Sequence, residues 1–315
     1  MSAAASNAGT PATSALPHRF ALFTWFATMA LIGFGALITT TGAGMAVQGW
    51  WNAEGHFMPL FPVDKWTRDT GTFVEHTHRL IGMVVGFGAL LTAFSTWRTF
   101  RGGRPFAWAL IALLAVIVQG TLGGFRVLEN SPNLAFLHGV TAQLVFALIG
   151  GAVLATQPRP EKARAGIAGP KGMALVVALA VLAQSTLGAW YRHDIRPEAL
   201  TDTTAKLHLH ITGAVIVFVA VGLLAKKLKA LAAEAAPARG WSRRLHIALG
   251  LQVLLGLAAW MANDLQVSTP TMIELVVTTG HVLIGAVLLS TALEVFLWLS
   301  SAPSGDVGQA PLAAR

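Results

Sequence analysis

Four histidines, His78, His138, His210 and His281, each stand near the start of a long apolar segment, and each is followed four residues later by a small residue: Gly82, Ala142, Ala214 and Gly285. Imidazole nitrogen is an axial ligand of heme iron. A small residue four positions on lies on the same helix face, where it would leave room for a flat macrocycle. The pattern points to two hemes, each clamped between two histidine-bearing helices, with the four histidines as iron ligands. A strongly polar side chain in a bilayer core is costly unless it faces the bundle interior and finds a partner, so four at one depth carry a functional signal. A lone histidine near a helix end is more often an interfacial residue bonded to a carbonyl or water, and that reading covers His18, His56, His193 and His246.

Two of the four belong to a His-x-His pair, His76-Thr77-His78 and His208-Leu209-His210. Residues two apart point about 200° away from each other on a helix, so one member of each pair faces the bundle. His76 and His208 have Leu80 and Thr212 at the spacing where His78 and His210 have small residues, which favours His78 and His210. Glu75 precedes His78 by three residues, whereas Leu207 occupies that place before His210. A carboxylate beside a heme edge could accept a proton or position a water. It could equally form an i,i+4 ion pair with Arg79, and Arg79 could serve as a propionate partner. Either way the two sites should differ in role.

The elements that must carry these residues follow from composition. With 54% hydrophobic residues, 11% charged and a mean hydropathy of +0.62, the 315-residue chain reads as an all-α integral membrane protein. About 20 apolar residues cross a hydrocarbon core as a helix. Eight such stretches lie near 20–42, 77–97, 106–125, 134–155, 172–190, 205–225, 244–262 and 273–299. Lys and Arg cluster after the second, fourth and sixth spans. This predicts both termini on the cytoplasmic side of the cell's inner membrane, with all four histidines in the outer part of the bilayer. The net charge of +8 then reflects topology and attraction to anionic lipid, and no nucleic-acid partner is implied. The absence of cysteine excludes disulfides, thiolate metal sites and covalent heme attachment. The polar first 17 residues lack a secretory apolar core, so the first span reads as retained. Trp25, Trp50, Trp51, Trp66, Trp190 and Trp241 fit an interfacial aromatic belt.

The spans read as a tandem duplication, two pseudo-symmetric four-helix bundles. Gln119 and Gly123 in the third span match Gln252 and Gly256 in the seventh, the glutamines fitting interhelical hydrogen-bond partners, while His138 and His281 open the fourth and eighth. The expected organisation is an N-terminal segment 1–19, a first unit 20–157, a linker 158–171, a second unit 172–300 and a tail 301–315.

These residues carry a resemblance to the heme A synthase family over nearly all of 20–300. It rests on Glu75-x-x-His78-Arg79, Leu137-His138 with Ala142, His210 with Ala214, and His281 with Gly285. The resemblance implies a membrane oxidoreductase that converts the C8 methyl group of heme O to a formyl group, giving heme A for cytochrome oxidase. It further implies that His78 and His138 face heme O as substrate, with Arg79, Gly82 and Ala142 around it and Glu75 catalytic beside it. His210 and His281, with Ala214 and Gly285, would bind heme b as cofactor. Two successive oxidations through an alcohol and its hydrate are implied, with electrons passing by heme b to an unidentified acceptor. Implied partners are the heme O-producing farnesyltransferase and the bilayer, and a homo-oligomer is compatible. Three features depart from the family pattern: Gly35–Gly42 contains no arginine, Ile211 follows His210, and no cysteine pair is present. Two other readings share the histidines: a di-heme b electron carrier without heme-modifying chemistry, and a repeat-built transporter with a histidine proton relay.

Overall fold

The computed structural model describes residues 15–157, 169–193, 203–262 and 270–301. Among them are eight helices long and apolar enough to cross a membrane: α1 (Leu16–Thr41), α3 (Thr70–Phe100), α4 (Gly103–Leu128), α5 (Pro132–Ala155), α6 (Lys171–His193), α7 (Thr203–Leu231), α8 (Pro237–Ala262) and α9 (Met272–Leu299). Together they make an all-α multi-pass membrane protein. A two-stranded hairpin, β1 (Asn52–Ala53) with β2 (His56–Phe57), and a one-turn helix α2 (Val63–Trp66) lie between α1 and α3.

The helices run past the apolar stretches read from sequence because caps, not hydropathy, end them. Asp69 caps α3, accepting from Thr72 N at 2.8 Å, so the helix begins seven residues before the expected 77. Ser131 with Pro132 starts α5, and Thr271 starts α9. Gly42, at φ 67°, closes α1 in the left-handed conformation with its N–H on the Ile38 carbonyl. Helix α8 begins at Pro237 rather than 244, taking Arg239, Arg243 and Arg244 into its first turns. Helix α1 likewise takes residues 16–19 from the expected N-terminal segment. The rest of that segment, the linker except 169–171, and the tail beyond Ser301 lie outside the described residues.

Helix α1 packs on α3, α5 and α9; α5 packs on α4, α6 and α9; and α9 packs on α6 and α8. Buried Ile32, Phe146 and Ala286 join α1, α5 and α9, and a larger apolar cluster built on Val221, Leu224, Leu245 and Val295 joins the last four spans. Burying such side chains contributes about 1.5–3 kcal/mol each relative to water, while against lipid it is close packing that holds the helices together. Threonine hydroxyls such as Thr24, Thr28 and Thr92 are satisfied by carbonyls four residues back. In α9 the carboxyl of Glu294 accepts from Ser290 Oγ at 2.7 Å.

Cross-links at the two ends show that the helices alternate in direction. Arg192 at the end of α6 donates to Thr40 Oγ1 at the end of α1 (2.7 Å), and Arg126 near the end of α4 donates to the Gly44 carbonyl (2.6 Å). At the opposite end Arg104 of α4 donates to the Leu297 carbonyl (3.1 Å). The first turns of α3, α5, α7 and α9 therefore share one end. Residues 43–69 fold over this end of α3 and α4, with Val47, Ala53, Met58 and Phe61 buried against Trp66, Leu80 and Met83 and Trp50 beside Phe125.

Candidate functional site

His78, His138, His210 and His281 sit six to nine residues inside α3, α5, α7 and α9, about 9–14 Å from the capped end at 1.5 Å per residue. Each ring is laid into the membrane span that precedes its own. His78 Nδ1 lies 3.1 Å from the Leu31 carbonyl of α1, His281 Nδ1 lies 3.1 Å from the Gln252 carbonyl of α8, and His210 Nδ1 lies 2.9 Å from Gln184 Nε2 of α6. His138 meets Gln119 of α4, whose Nε2 is 3.1 Å from its Nδ1.

Four residues after each of these partners stands a glycine, which makes the approach possible. A Cβ on Gly123, Gly188 or Gly256 would stand 2.8, 2.8 or 2.7 Å from Cε1 of His138, His210 or His281, and one on Gly35 would stand 3.2 Å from Cε1 of His78. The carbonyl of residue i in a helix already accepts from the N–H of i+4, and glycine at i+4 bares the flank of that carbonyl to a ring from outside. At His78 and His281, donation by Nδ1 to a carbonyl leaves Nε2 with its lone pair, the tautomer a metal ligand needs.

Three of the four partners are glutamines that grip the histidine a second time. Gln119 Nε2 donates to the His138 carbonyl at 2.8 Å and Gln184 Nε2 to the His210 carbonyl at 2.7 Å, while Gln252 Nε2 lies 3.3 Å from His281 Nε2. Gln119 Oε1 in turn accepts from Thr141 Oγ1 (2.7 Å). In α7 and α9 the rings of His210 and His281 face each other with centroids 6.2 Å apart and planes at 81°. Two imidazoles bound to one metal ion through bonds of about 2 Å place their ring centres about 6 Å apart. This pair therefore fits shared axial ligation of one heme iron.

The small residues expected to clear a macrocycle are placed differently from one another. Gly82 has open space up to Leu31, Ala142 is half-buried, Ala214 is exposed, and Gly285 is buried against the Gln252 amide. The members of each His-x-His pair also part as the helical angle requires. His76 is buried at 1% exposure beneath the cap, its ring 4.8 Å from that of Phe61 and 5.4 Å from that of Trp66, and His208 is exposed. Of the other histidines, His18 lies 3.4 Å from Thr156 Oγ1, His56 meets Lys65, and His246 meets the Ser242 carbonyl; the side chain of His193 lies outside the described residues.

Glu75 is buried, and both its oxygens are engaged. Arg79 donates to Oε1 at 2.7 Å and the backbone N–H of Val47 donates to Oε2 at 2.8 Å. Arg79 also donates to the carbonyls of Val47 (2.6 Å) and Gly49 (2.7 Å), so the pair latches the cap onto α3. Leu207 gives α7 no such group. Farther out, Arg68 grips Glu54 through two bonds of 2.8 and 2.9 Å, which holds that carboxyl below its usual range. The backbone N–H of Thr72 does the same for Asp69.

Sequence reasoning did not single out Leu31, Gly35, Gln184 and Gly188. The Gln-x-x-x-Gly spacing, noted only in the third and seventh spans, occurs again at Gln184 and Gly188 and was the available signal. Leu31 offers only a backbone atom, which no residue type announces.

A family model described as cytochrome oxidase assembly protein (COX15-CtaA) matches residues 18–205, a range that includes His78 and His138 and ends before His210 and His281. The chain is similar to the heme A synthase of Shouchella clausii (strain KSM-K16), 31% identical over 169 residues, which is 50% of this chain and 53% of that protein. It is 32% identical to the heme A synthase of Methylobacterium sp. (strain 4-46) over 149 residues, 44% of this chain and 41% of that protein. With the heme A synthase of Halalkalibacterium halodurans it shares 28% identity over 180 residues, 53% of this chain and 58% of that protein. The chain thus spans about half the length of the curated relatives it matches.

Proposed function

The chain belongs to the cytochrome oxidase assembly protein family, and from that premise we propose that it is a heme A synthase, a membrane oxidoreductase that oxidises the C8 methyl group of heme O to a formyl group. The reading is carried by one observation: the rings of His210 and His281 lie with centroids 6.2 Å apart, each held at Nδ1 by a glutamine of the span before it. In this reading the two halves are a duplication, 20–157 holding the substrate and 172–300 the cofactor. His210 and His281 hold heme b, with Ala214 and Gly285 beside them, and His78 and His138 hold heme O, with Gly82 and Ala142 at its edge.

Bound heme b would supply reversible one-electron redox chemistry. The residues of the chain orient, enclose and exchange protons. The main-chain carbonyls of Leu31 and Gln252 at Nδ1 would orient the rings of His78 and His281, and Gln119 and Gln184 those of His138 and His210. The cap, latched by Glu75 and Arg79, covers the first turns of α3, on the side of the proposed substrate heme. Converting a methyl to a formyl group with oxygen from water releases four electrons, which need an external acceptor, and four protons, and in this reading Glu75 would take protons on the substrate side once freed from its latch. Loops rich in Lys and Arg support an orientation with both termini on the cytoplasmic side of the inner membrane and the cap outside. A lipid-facing entrance would then admit the farnesyl tail delivered by the transferase that makes heme O.

Co-expression with a heme O source tests this reading. The expected result is heme A in the extracted pigment, a b-type spectrum that disappears in His210→Ala and His281→Ala, and a b-type spectrum that persists in His78→Ala without product. Purified protein that carries b-type heme but yields no heme A when heme O is present would refute it.

A further inference from the structure

Two arginines beside the ligand histidines are half-buried and have no counter-ion among the described residues. Arg126 follows Gly123 by three residues on α4, and Arg192 follows Gly188 by four on α6. Each therefore lies about one turn nearer the capped end than the glycine that admits His138 or His210. The ion pairs among the described residues join Arg68 to Glu54 and Asp69, and Arg79 to Glu75. Arg126 donates instead to the Gly44 carbonyl at 2.6 Å, and Arg192 to Thr40 Oγ1 at 2.7 Å with the Ala36 carbonyl at 3.5 Å. A guanidinium carries five donors and keeps its charge throughout the physiological range, so most of the capacity of both is unused.

An arginine near the end of a membrane helix ordinarily extends its head to the water or the lipid phosphates. These two turn to the protein. Arg192 crosses to α1 and Arg126 reaches the loop after α1, and each comes close enough to a ligand histidine, Arg192 to His281 and Arg126 to His78, to act on it electrostatically. One such arginine serves each unit, because the other two glycine-bearing spans, α1 and α8, have no ionisable residue between that glycine and the helix end. Arg79, the other candidate at the first site, is already engaged by Glu75 and two carbonyls of the cap.

A charge in this setting is costly without an anion, and a heme brings two. Its propionates are carboxylates on one edge of the macrocycle, and a guanidinium pairs with a carboxylate through two parallel hydrogen bonds. Axial histidines fix the plane and depth of a heme but leave it free to turn about the axis through the iron, so a contact at the rim is needed to set its rotation. Resting on the proposed function, we infer that Arg192 binds a propionate of the cofactor heme and Arg126 a propionate of the substrate heme, and that each thereby sets the rotation of its macrocycle. For the substrate, rotation decides the chemistry. The C8 methyl group shares a pyrrole ring with one propionate, so a grip on that carboxylate fixes where the methyl lies, and Arg126 is itself close enough to Glu75 to interact with it.

The test records the reduction potential of the b-type heme in purified holoprotein from mildly acid to mildly alkaline pH, together with resonance Raman spectra. Arg192→Leu should lower the potential by about 59 mV or more, the one-electron equivalent of a tenfold change in the reduction equilibrium, because the lost cation favoured the electron-rich ferrous state. It should also make the potential depend on pH, since a propionate freed from its cation takes up a proton on reduction. Arg192→Lys keeps the charge and loses the planar fork, so its potential should stay near that of the parent while the propionate bending bands move. Arg126→Leu should leave the b-type potential unaltered and weaken retention of heme O, supplied by co-expression, by about 10–100-fold, the usual effect of losing a charge-assisted pair. Either arginine whose variants match the parent in these measurements would lose its assignment while the proposed function stood. Should Arg192→Leu fail to fold, unmoved propionate bands in Arg192→Lys would be enough to overturn it. An unmutated protein that binds no heme would overturn both the inference and the function.

Discussion

Replacing Gly256 by alanine adds one methyl group at the tightest of the four clasps. That methyl would stand 2.7 Å from His281 Cε1, 3.1 Å from Nδ1 and 3.6 Å from Nε2. Ordinary carbon–carbon contact is about 3.5–4.0 Å, so the ring must retreat by about 1 Å. Its Nδ1 already lies 3.1 Å from the Gln252 carbonyl; the same retreat carries it to about 4 Å, beyond hydrogen-bonding range. The loss leaves a buried ring nitrogen unpaired, at about 1–3 kcal/mol, and crowding adds about 1–3 kcal/mol. Against this, alanine gains only about 0.5–1 kcal/mol over glycine in a helix. Affinity for b-type heme should fall by about 10–100-fold, read as heme per protein in reduced-minus-oxidised spectra. Gly250→Ala in the same helix and Gly222→Ala in α7 are the controls, since a Cβ at either meets nothing within 4 Å. Gly188→Ala should behave like Gly256→Ala, and Gly35→Ala, at 3.2 Å, should perturb its ring less. If Gly256→Ala retained as much b-type heme at the same potential as Gly250→Ala, the clasp would be mere packing and the reasoning from ring orientation would fail.

Other perturbations separate the roles assigned around the site. Glu75→Ala should leave the b-type spectrum intact, abolish heme A formation and expose residues 43–69 to protease, because Arg79 loses its carboxylate and Val47 its acceptor; removing one partner of a buried ion pair costs about 3–5 kcal/mol, and normal product yield from this variant would end its catalytic assignment. His76→Leu should retain both pigments and match or exceed the stability of the parent, since Nδ1 of His76 is buried without a partner among the described residues; loss of heme would move the ligand from His78 to His76. The cap should loosen in acid. Glu54 and Asp69 have folded pKa values held below their usual range, by Arg68 and by the Thr72 N–H respectively, so their contributions are present above the unfolded carboxyl pKa, near 4, and are lost as pH falls through the lower folded values. Proteolysis of the cap by an acid-tolerant protease should rise over that window, and Glu54→Gln should flatten the rise.

The eight spans and the histidine quartet were legible because each contrasts with its surroundings, long apolar runs against polar ends and ionisable rings against apolar neighbours. Helix boundaries were less legible. The cap of α3 is the side chain of Asp69 and α8 starts at Pro237 among arginines, and neither registers in hydropathy. That the two members of each His-x-His pair part followed from helical angle, and the choice of His78 over His76 from Gly82 against Leu80; the two side chains do diverge as that angle requires. The partners of the rings were only half visible. Gln119 and Gln252 stood out as a repeated pair, but the atoms that meet His78 and His281 through Nδ1 are main-chain oxygens, and every residue carries one. The latch on Glu75 was hidden for a similar reason: one of its partners, the N–H of Val47, lies 28 residues away in an irregular loop.

The use of main-chain carbonyls suits the place where these rings lie. Metal-bound histidines in water-soluble sites are often oriented by a carboxylate, which strengthens the ligand by bringing a negative charge close to it. About 9–14 Å inside a bundle, such a charge would itself need a partner, and an isolated charge in a low-dielectric medium is far more costly than a neutral dipole. A helix carbonyl is a strong neutral acceptor that the fold already supplies, and it becomes available to an outside ring once the residue four positions later has no side chain. The imidazole is thereby both satisfied and oriented through Nδ1, and tolerated in the bilayer before any ligand arrives. On this reasoning the glycines of the preceding helices are as much part of the site as the histidines, because they let a membrane helix orient a ligand with no charge added.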